Sequence, residues 1–267
     1  VAEFLAAIDH TKQRTAPGPD GITYEVYKNI DDPALVPLLD SINQVWLSGQ
    51  LPDSWLRADI VPIPKPGKPP HELRNLRPIA LTSTLCKLLE RMLATRLQWW
   101  LDTFQWYHPA QIGFRPYLGT EDGLEHLSSM VLVGGRSRRV RTVLAMDICK
   151  AYDNVSHAAI LQVLNGLHLP DKVCKFIRYF LQHRSFSIRI NGASFGHFTP
   201  VRGVPQGSVL SPLLFNIVLL PLAWHLASIR ELYFLMYADD ITVWSVHPDL
   251  TRQAECLQQA LTDCQRW

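Results

Sequence analysis

The chain has 267 residues, of which 47% are hydrophobic, so it can bury a substantial core as one large domain or two closely packed subdomains, and it is not a disordered chain. Its 26 Lys and Arg residues against 24 Asp and Glu residues give a net charge of +2, which argues neither for nor against a polyanionic partner. The five cysteines show no CxxC or Cys/His metal spacing, and they favour a reducing compartment.

The N-terminal part reads mainly as loops and helices. No charged segment followed by an apolar one opens the chain, so no signal peptide is expected. Turn-forming residues crowd positions 15–21, which predicts a fixed loop. Apolar residues recur at intervals of three and four over 35–46, which predicts a helix that ends at Gly49. A short extended run at 58–63 enters the loop PKPGKPP, and residues 83–100 have the pattern of a long amphipathic helix.

The second half mixes strands, helices and hairpins. A β-rich run ends at Asp147, and Ser156 is well placed to cap the helix that follows. The Asn191-Gly192 pair between two extended runs predicts a tight hairpin. Residues 213–224 are very apolar but too short to span a bilayer, so we expect a buried helix. This order predicts an α+β fold with an antiparallel sheet.

Two adjacent carboxylates, Asp239 and Asp240, lie between two β-prone runs in the stretch MYADDITVW. Asp is depleted in strands, and burying an unpaired carboxylate is costly. One interpretation is a hairpin turn, where Asp is common. The other is a metal site, because Mg²⁺ takes carboxylate oxygens and a tight turn can aim two of them outward. Asp147 is the candidate third carboxylate, and together they could hold two Mg²⁺ ions for phosphoryl transfer.

Two basic clusters could touch phosphate, and each could instead be a solvated surface loop. The first cluster comprises Lys65, Lys68, Arg74 and Arg77. The second cluster comprises Arg136, Arg138, Arg139 and Arg141.

Six blocks of the sequence, in order, resemble the reverse transcriptase domain of non-LTR (LINE-type) retrotransposons. The blocks are APGPDGI, the pair IVPIPKPGKP and LRNLRPIALTSTLCKLLERML, QIGFRP, AMDICKAYDNVSH, GVPQGSVLSPLLFNI and MYADDITVW. The resemblance implies a polymerase right-hand fold of the α+β class, with a small antiparallel palm sheet packed on helices. Residues 1–138 would be mainly fingers and residues 139–267 mainly palm, and the sequence stops before a thumb could appear, so we expect the thumb to be absent.

The resemblance also implies roles for the acidic motifs. Asp147 and Asp239 would each bridge two Mg²⁺ ions, or Mn²⁺ in their place, with Asp240 a less direct ligand. Tyr152 would be an aromatic gate under the sugar that selects against a 2′-hydroxyl, or else a core aromatic residue. Ala238 would leave room beside the primer end.

Four further residues correspond to nucleotide contacts in the family. Gln206 can hydrogen-bond without adding charge, and Gly207 allows close backbone approach, although an ordinary tight turn would explain both. Lys65 and Arg77 resemble the cations that neutralise the triphosphate, with the other two cations of the same cluster as alternatives.

The resemblance implies an RNA-directed DNA polymerase that uses an RNA template, a DNA primer, target DNA and deoxynucleoside triphosphates, with no membrane partner. It also implies assembly in the cytoplasm and action in the nucleus. The alternative is a catalytically incompetent relic, or a domesticated nucleic-acid-binding domain. The three acids together with Tyr152 and Gln206 argue for the polymerase, because neutral decay would have no reason to spare them all.

Overall fold

The computed structural model describes residues 1–129 and 142–267. The chain forms two compact units, the first made of Val1–Trp100 with Tyr152–Ser211 and the second of Leu101–Ala151 with Pro212–Trp267. The second basic cluster and the expected boundary between residues 138 and 139 lie outside the described residues. All five cysteines carry free thiols.

The first unit contains a four-stranded mixed sheet with the strand order β2-β1-β4-β5. Its strands are β1 (Arg57–Pro64), β2 (Leu76–Thr82), β4 (Ser185–Ile190) and β5 (Ala193–Phe198). Strand β1 pairs antiparallel with β2 and parallel with β4, and β4 pairs antiparallel with β5. The β4–β5 hairpin confirms the Asn-Gly prediction, because Asn191 and Gly192 both have positive φ, 51° and 82°.

Helices make up most of the rest of the first unit. They are α1 (Ala2–Asp9), α2 (Tyr24–Lys28), α3 (Asp32–Ser48), α4 (Asp53–Leu56), α5 (Thr84–Thr103), α7 (Ala151–Asn154), α8 (His157–Gly166) and α9 (Asp171–Gln182), with a 3-10 turn at Leu73–Asn75. The helix predicted over 35–46 is α3, and it ends at Gly49 with φ 71° as expected. The long amphipathic helix is α5, and Ser156 caps α8.

The second unit is built around a three-stranded antiparallel sheet with the order β3-β7-β6. Its elements are α6 (Thr120–Ser128), β3 (Thr142–Asp147), α10 (Ser211–Ser228), β6 (Leu232–Tyr237), β7 (Asp240–Ser245) and α11 (Leu250–Arg266). Helix α11 packs on all three strands. Within the described residues, one helix, α10, has the length and apolar composition of a membrane span, but 67% of it is buried, as the core-helix prediction requires.

Candidate active site

Strand register brings the three predicted carboxylates to one end of the β3-β7-β6 sheet. In the β3–β7 ladder, Asp147 lies directly opposite Asp240. Residues directly opposite each other on antiparallel strands direct their side chains to the same face of the sheet. Asp239 precedes Asp240 in the chain, and its backbone oxygen accepts a hydrogen bond of 3.0 Å from the Ile148 nitrogen. Asp147, which is far from Asp239 and Asp240 in the sequence, is therefore their neighbour in the second unit.

Asp239 lies in a two-residue hairpin loop, which confirms the turn interpretation of MYADDITVW. Tyr237 at the end of β6 pairs with Asp240 at the start of β7, so Ala238 and Asp239 alone form the connection. Ala238 has a φ of 54°, a left-handed conformation that costs a non-glycine residue about 1–2 kcal/mol. The turn and the carboxylate cluster are thus two aspects of one structure. We call β6, β7 and their loop the acidic hairpin.

The carboxylates are less buried than the sequence suggested. Asp147 and Asp240 are exposed, and Asp239 is half-buried. Partial burial raises the pKa of Asp240, and the negative charges of Asp239 and Asp147 raise it further. Solvent therefore offsets part of the cost of these charges, while the three groups still repel one another.

The three acids fit a divalent cation in donor chemistry and in backbone placement. Oxygen ligands are what Mg²⁺ prefers, and mutual repulsion among the acids is what a cation would relieve. Over residues 1–129 and 142–267, however, no three His, Cys, Asp or Glu side chains stand close enough together to hold a metal ion as they are placed. The carboxyl groups must therefore turn toward a common point, which the exposure of Asp147 and Asp240 allows.

The predicted nucleotide-binding residues other than Ala238 belong to the first unit. Half-buried Tyr152 lies in α7, and its backbone oxygen accepts a hydrogen bond of 2.7 Å from the Val204 nitrogen. The Gly203 nitrogen donates to the Val155 oxygen at 2.8 Å. These two bonds fasten α7 and the residue that follows it to the segment that leads into Gln206. The structure therefore brings two of the predicted residues, Tyr152 and Gln206, onto connected backbone.

Gln206 and Gly207 lie against the outer edge of β2. The Ala80 nitrogen donates a 2.6 Å hydrogen bond to the Gln206 backbone oxygen. Gly207 has a φ of 121°, and a Cβ there would lie 2.6 Å from the Ala80 oxygen. This position therefore requires glycine for its conformation and for its space. The close approach predicted for Gly207 is made to the backbone of β2.

Lys65 and Arg77 lie near the ends of β1 and β2. The Lys65 ammonium donates to the Arg74 backbone oxygen at 3.2 Å, and the Lys65 nitrogen donates to the Asn75 oxygen at 2.8 Å. Arg74 forms an ion pair with Glu72 at 2.6 Å. Arg77 is exposed and forms no ion pair with any residue of the described part. Of the two arginines, Arg77 therefore has its charge more available for a phosphate.

Glu90 supports the segment that carries Gln206 and Gly207, and this role was not predicted from the sequence. It is fully buried in α5, and its Oε2 accepts hydrogen bonds from the Ser208 hydroxyl, the Val209 nitrogen at 2.8 Å and the Leu210 nitrogen at 3.2 Å. We call residues 203–210 the 203–210 loop. Its last three residues are held by these hydrogen bonds to Glu90. The available signal was a charged residue on the buried face of an amphipathic helix, four positions after buried Cys86.

Comparison with known families places this geometry in context. Residues 63–267 match the family described as reverse transcriptase (RNA-dependent DNA polymerase). The chain is 30% identical to the probable RNA-directed DNA polymerase from transposon BS of Drosophila melanogaster, covering 100% of this chain and 30% of that protein. It is 28% identical to the RNA-directed DNA polymerase from mobile element jockey of the same species, covering 95% and 28%.

A further relative is the Pol polyprotein from type-2 retrotransposable element R2DM of Drosophila melanogaster, 32% identical over 77% of this chain and 19% of that protein. The chain spans less than a third of the length of these three relatives. Among solved structures, apo telomerase from Candida tropicalis truncated from its C-terminal domain matches with a TM-score of 0.59 and 13% identity, covering 88% of this chain and 54% of that one. Telomerase from Candida albicans, in complex with a fragment of telomeric RNA, matches with a TM-score of 0.57 and 14% identity over 87% and 45%. These likenesses establish the fold.

Proposed function

The chain belongs to the reverse transcriptase (RNA-dependent DNA polymerase) family, as a domain of the non-LTR, LINE type, and on that premise we propose that it adds deoxynucleotides to a primer 3′-hydroxyl on an RNA template. One observation carries the proposal: the strand register that sets Asp147 opposite Asp240, beside Asp239, inside the region that matches the family. In the reaction, the primer 3′-oxygen forms a bond to the α-phosphorus of the nucleotide. The bond from that phosphorus to the bridging oxygen breaks, pyrophosphate leaves, and the hydroxyl proton passes to solvent.

Asp147, Asp239 and Asp240 are the residues we assign to hold divalent ions, with Asp147 and Asp239 as the shared ligands. Members of the family generally use such ions, which when bound activate the attacking hydroxyl and stabilise the leaving oxygen. The three acids gather carboxyl groups at the sheet end and so define where cations would concentrate. The hairpin geometry supports this assignment, since it holds two of the acids in sequence and the third across the ladder.

The first unit supplies the proposed nucleotide contacts. Gln206 would orient the incoming nucleotide by neutral hydrogen bonds, and Tyr152 would exclude a 2′-hydroxyl. The exposed Arg77 and the half-buried Lys65 would bind the triphosphate, because positive charge stabilises the developing negative charge on phosphoryl oxygens. Ala238 would leave room for the primer end.

The finer fold assignment belongs to the same proposal. We assign residues 1–138 mainly to fingers and residues 139–267 mainly to palm, with β3-β7-β6 as the palm sheet. An RNA template and a DNA primer are the partners this arrangement would serve. The telomerase from Candida albicans, which shares the fold, was solved with an RNA fragment, and this supports the choice of an RNA partner.

Primer extension on an RNA template with Mg²⁺ and deoxynucleotides tests the proposal. We expect extension by the unmutated chain and none by Asp239→Asn, because the substitution removes a metal-binding charge while leaving packing nearly unchanged. Asp249→Asn is the matched control: Asp249 caps α11 by accepting from the Thr251 nitrogen at 2.8 Å, and Asn caps equally well.

Primer extension by Asp239→Asn would contradict the assignment of these carboxylates as ligands of divalent ions. RNA binding without extension by the unmutated chain would favour the nucleic-acid-binding alternative. Loss of RNA binding in Asp239→Asn alone would show that its effect is on binding and not on the reaction.

A further inference from the structure

A short segment outside the acidic motifs lies along the outer edge of the acidic hairpin. Strand β6 is an edge strand of its sheet, and residues 110–113, which we call the brace segment, run beside it. The Met236 nitrogen donates to the Ala110 oxygen at 2.8 Å, and the Ile112 nitrogen donates to the Met236 oxygen at 2.9 Å. These bonds satisfy the backbone of β6 two residues before the hairpin loop.

Gly113 ends the brace segment directly against that loop. A Cβ on Gly113 would overlap the Ala238 nitrogen and lie 2.9 Å from the Tyr237 carbonyl carbon. Both of these atoms are backbone, so a side-chain rotation could not relieve the overlap. Gly113 does not have a positive φ, so the position requires glycine for space and not for conformation.

Asn216 locks the brace segment onto α10. Its Nδ2 donates to the Gly113 oxygen at 2.6 Å, while its own backbone oxygen accepts from Gln111 Nε2 at 2.9 Å. Both side chains are 1% exposed. Asn216 stands among leucines, valine, isoleucine and phenylalanine in α10, where a polar side chain is costly unless it is hydrogen-bonded. Its amide and that of Gln111 thus form a reciprocal crosslink between helix and brace segment.

The loop that this crosslink supports is one that local preference disfavours. Ala238 has a φ of 54°, and non-glycine residues keep such a conformation only when their surroundings impose it. The surroundings on this side are Gly113 and, through its carbonyl, Asn216. The next residue in the chain is Asp239, so a displacement of Ala238 moves that carboxylate relative to Asp147.

We propose that Gly113 and Asn216 are positioning residues. They hold the backbone of the Ala238-Asp239 loop where Asp239 and Asp147 can act on the same ions. This inference rests on the proposed polymerase function. It adds two residues that act through backbone: Gly113 lies against the backbone of Tyr237 and Ala238, and Asn216 binds the Gly113 oxygen. A purely structural role for the same residues would change stability without changing how the acids work.

Gly113→Ala tests the proposal, with Gly119→Ala as control. A Cβ on Gly119 meets nothing closer than 3.7 Å, so the control adds the same methyl group in the same unit without overlap. We expect Gly113→Ala to fold and to keep its nucleotide KM within about two-fold while kcat falls by about 10²-fold, since displacements near 1 Å have that effect on reacting groups. A kcat equal to that of the control would overturn the proposal.

Asn216→Leu provides a second variant, of similar volume and without the amide. It removes the donor to the Gly113 oxygen, so kcat should fall in the same direction with KM retained. If Gly113→Ala does not fold, this variant carries the test. A raised KM with kcat intact in Asn216→Leu would contradict a positioning role.

Two measurements without nucleic acid separate this inference from the proposed function. In both variants we expect faster amide hydrogen exchange at residues 237–240, with the Asn191–Gly192 hairpin unchanged, and weaker Mn²⁺ binding measured by electron paramagnetic resonance. Unchanged amide exchange at residues 237–240 would overturn the positioning role of Gly113 and Asn216, whether or not the chain polymerises. Faster exchange with unchanged Mn²⁺ affinity would also overturn it, because the loop would then move without affecting the acids. If the unmutated chain extends no primer, the proposed function fails, and exchange still decides the brace.

Discussion

The 203–210 loop and the acidic hairpin are both held in place by buried polar side chains, but these supporting side chains differ in charge. Glu90 holds the first with a carboxylate that accepts hydrogen bonds from three donors. Gln111 and Asn216 hold the brace of the second with neutral amides. The 203–210 loop, GVPQGSVL, carries no charge of its own, whereas the hairpin loop contains Asp239 and lies beside Asp147 and Asp240.

Electrostatics accounts for the difference. A buried carboxylate is tolerated when several N–H and O–H groups solvate it, and Glu90 has these. Its charge also acts on its neighbours: it raises the pKa of the Cys86 thiol further beyond the effect of burial, and it opposes the lowering of the Lys87 pKa that burial causes. Beside the acidic hairpin, a further carboxylate would add to the repulsion that raises the pKa of Asp240. The neutral amides of Gln111 and Asn216 hold the brace segment by hydrogen bonds without adding to that repulsion.

The largest effect on stability is expected when Glu90, the charged support of the 203–210 loop, is replaced. Glu90→Leu leaves the Ser208 hydroxyl and the Val209 nitrogen without their acceptor, and it leaves the Leu210 nitrogen with the Ser208 hydroxyl oxygen alone, at 3.2 Å. The unfolding free energy should therefore fall by about 3–5 kcal/mol. Urea unfolding measures this loss. Glu125→Leu, on an exposed helical position, is the control and should change stability by less than about 0.5 kcal/mol. Equal losses in the two variants would show that Glu90 is not a structural tie.

An intermediate effect is expected when a carboxyl group replaces the neutral amide of Asn216. In Asn216→Asp, a protonated carboxyl can still donate to the Gly113 oxygen, but an ionised one cannot and is buried. Its folded-state pKa should therefore exceed the unfolded value of about 4, so stability falls as pH rises above about 4, by about 1.4 kcal/mol for each unit of pKa shift. Thermal unfolding from pH 4 to 8 measures this slope. Asn216→Leu should show the pH profile of the unmutated chain; identical profiles for the Asp and Leu variants would refute the charge argument.

The smallest expected effect is the extra loss of stability that close backbone approach adds to a glycine substitution in the 203–210 loop. Gly207→Ala combines positive φ with a Cβ 2.6 Å from the Ala80 oxygen, so we expect a loss of about 2–3 kcal/mol. Gly192→Ala has positive φ but no atom within 4 Å of the added Cβ, so it should lose only about 1 kcal/mol. Denaturant midpoints give both values. If the two losses match, conformation and not space determines the glycine at 207.

Some elements were readable from local pattern, and others were not. The Asn191-Gly192 hairpin and the Gly49 end of α3 follow from turn chemistry that neighbouring residues determine. Strand β2 was not predicted, because Leu76–Thr82 contains Pro78 and lacks alternation. The structure tolerates that proline because β2 is an edge strand. Its facing partner, Pro62, lies beyond the part of β1 that pairs with β4.

The supporting residues of the site were invisible for a related reason. Glu90 lies in an amphipathic helix, and Asn216 lies in a helix that is apolar on all sides, so neither residue disturbs the helical prediction. Gly113 looks like any loop glycine until the backbone of Ala238 is seen beside it. The parallel pairing of β1 with β4 likewise joins segments more than a hundred residues apart.

The sequence by itself determined the α+β class, the order of the motifs and the turn that carries Asp239, because helix periodicity, strand propensity and turn chemistry act over a few neighbouring residues. Only the tertiary structure decided that Asp147 lies opposite Asp240, that Glu90 reaches the 203–210 loop, and that Gly113 has no room for a Cβ. Register, buried polar partners and close backbone contacts depend on which distant segments meet. That is fixed by packing of the whole chain and not by any one stretch of it.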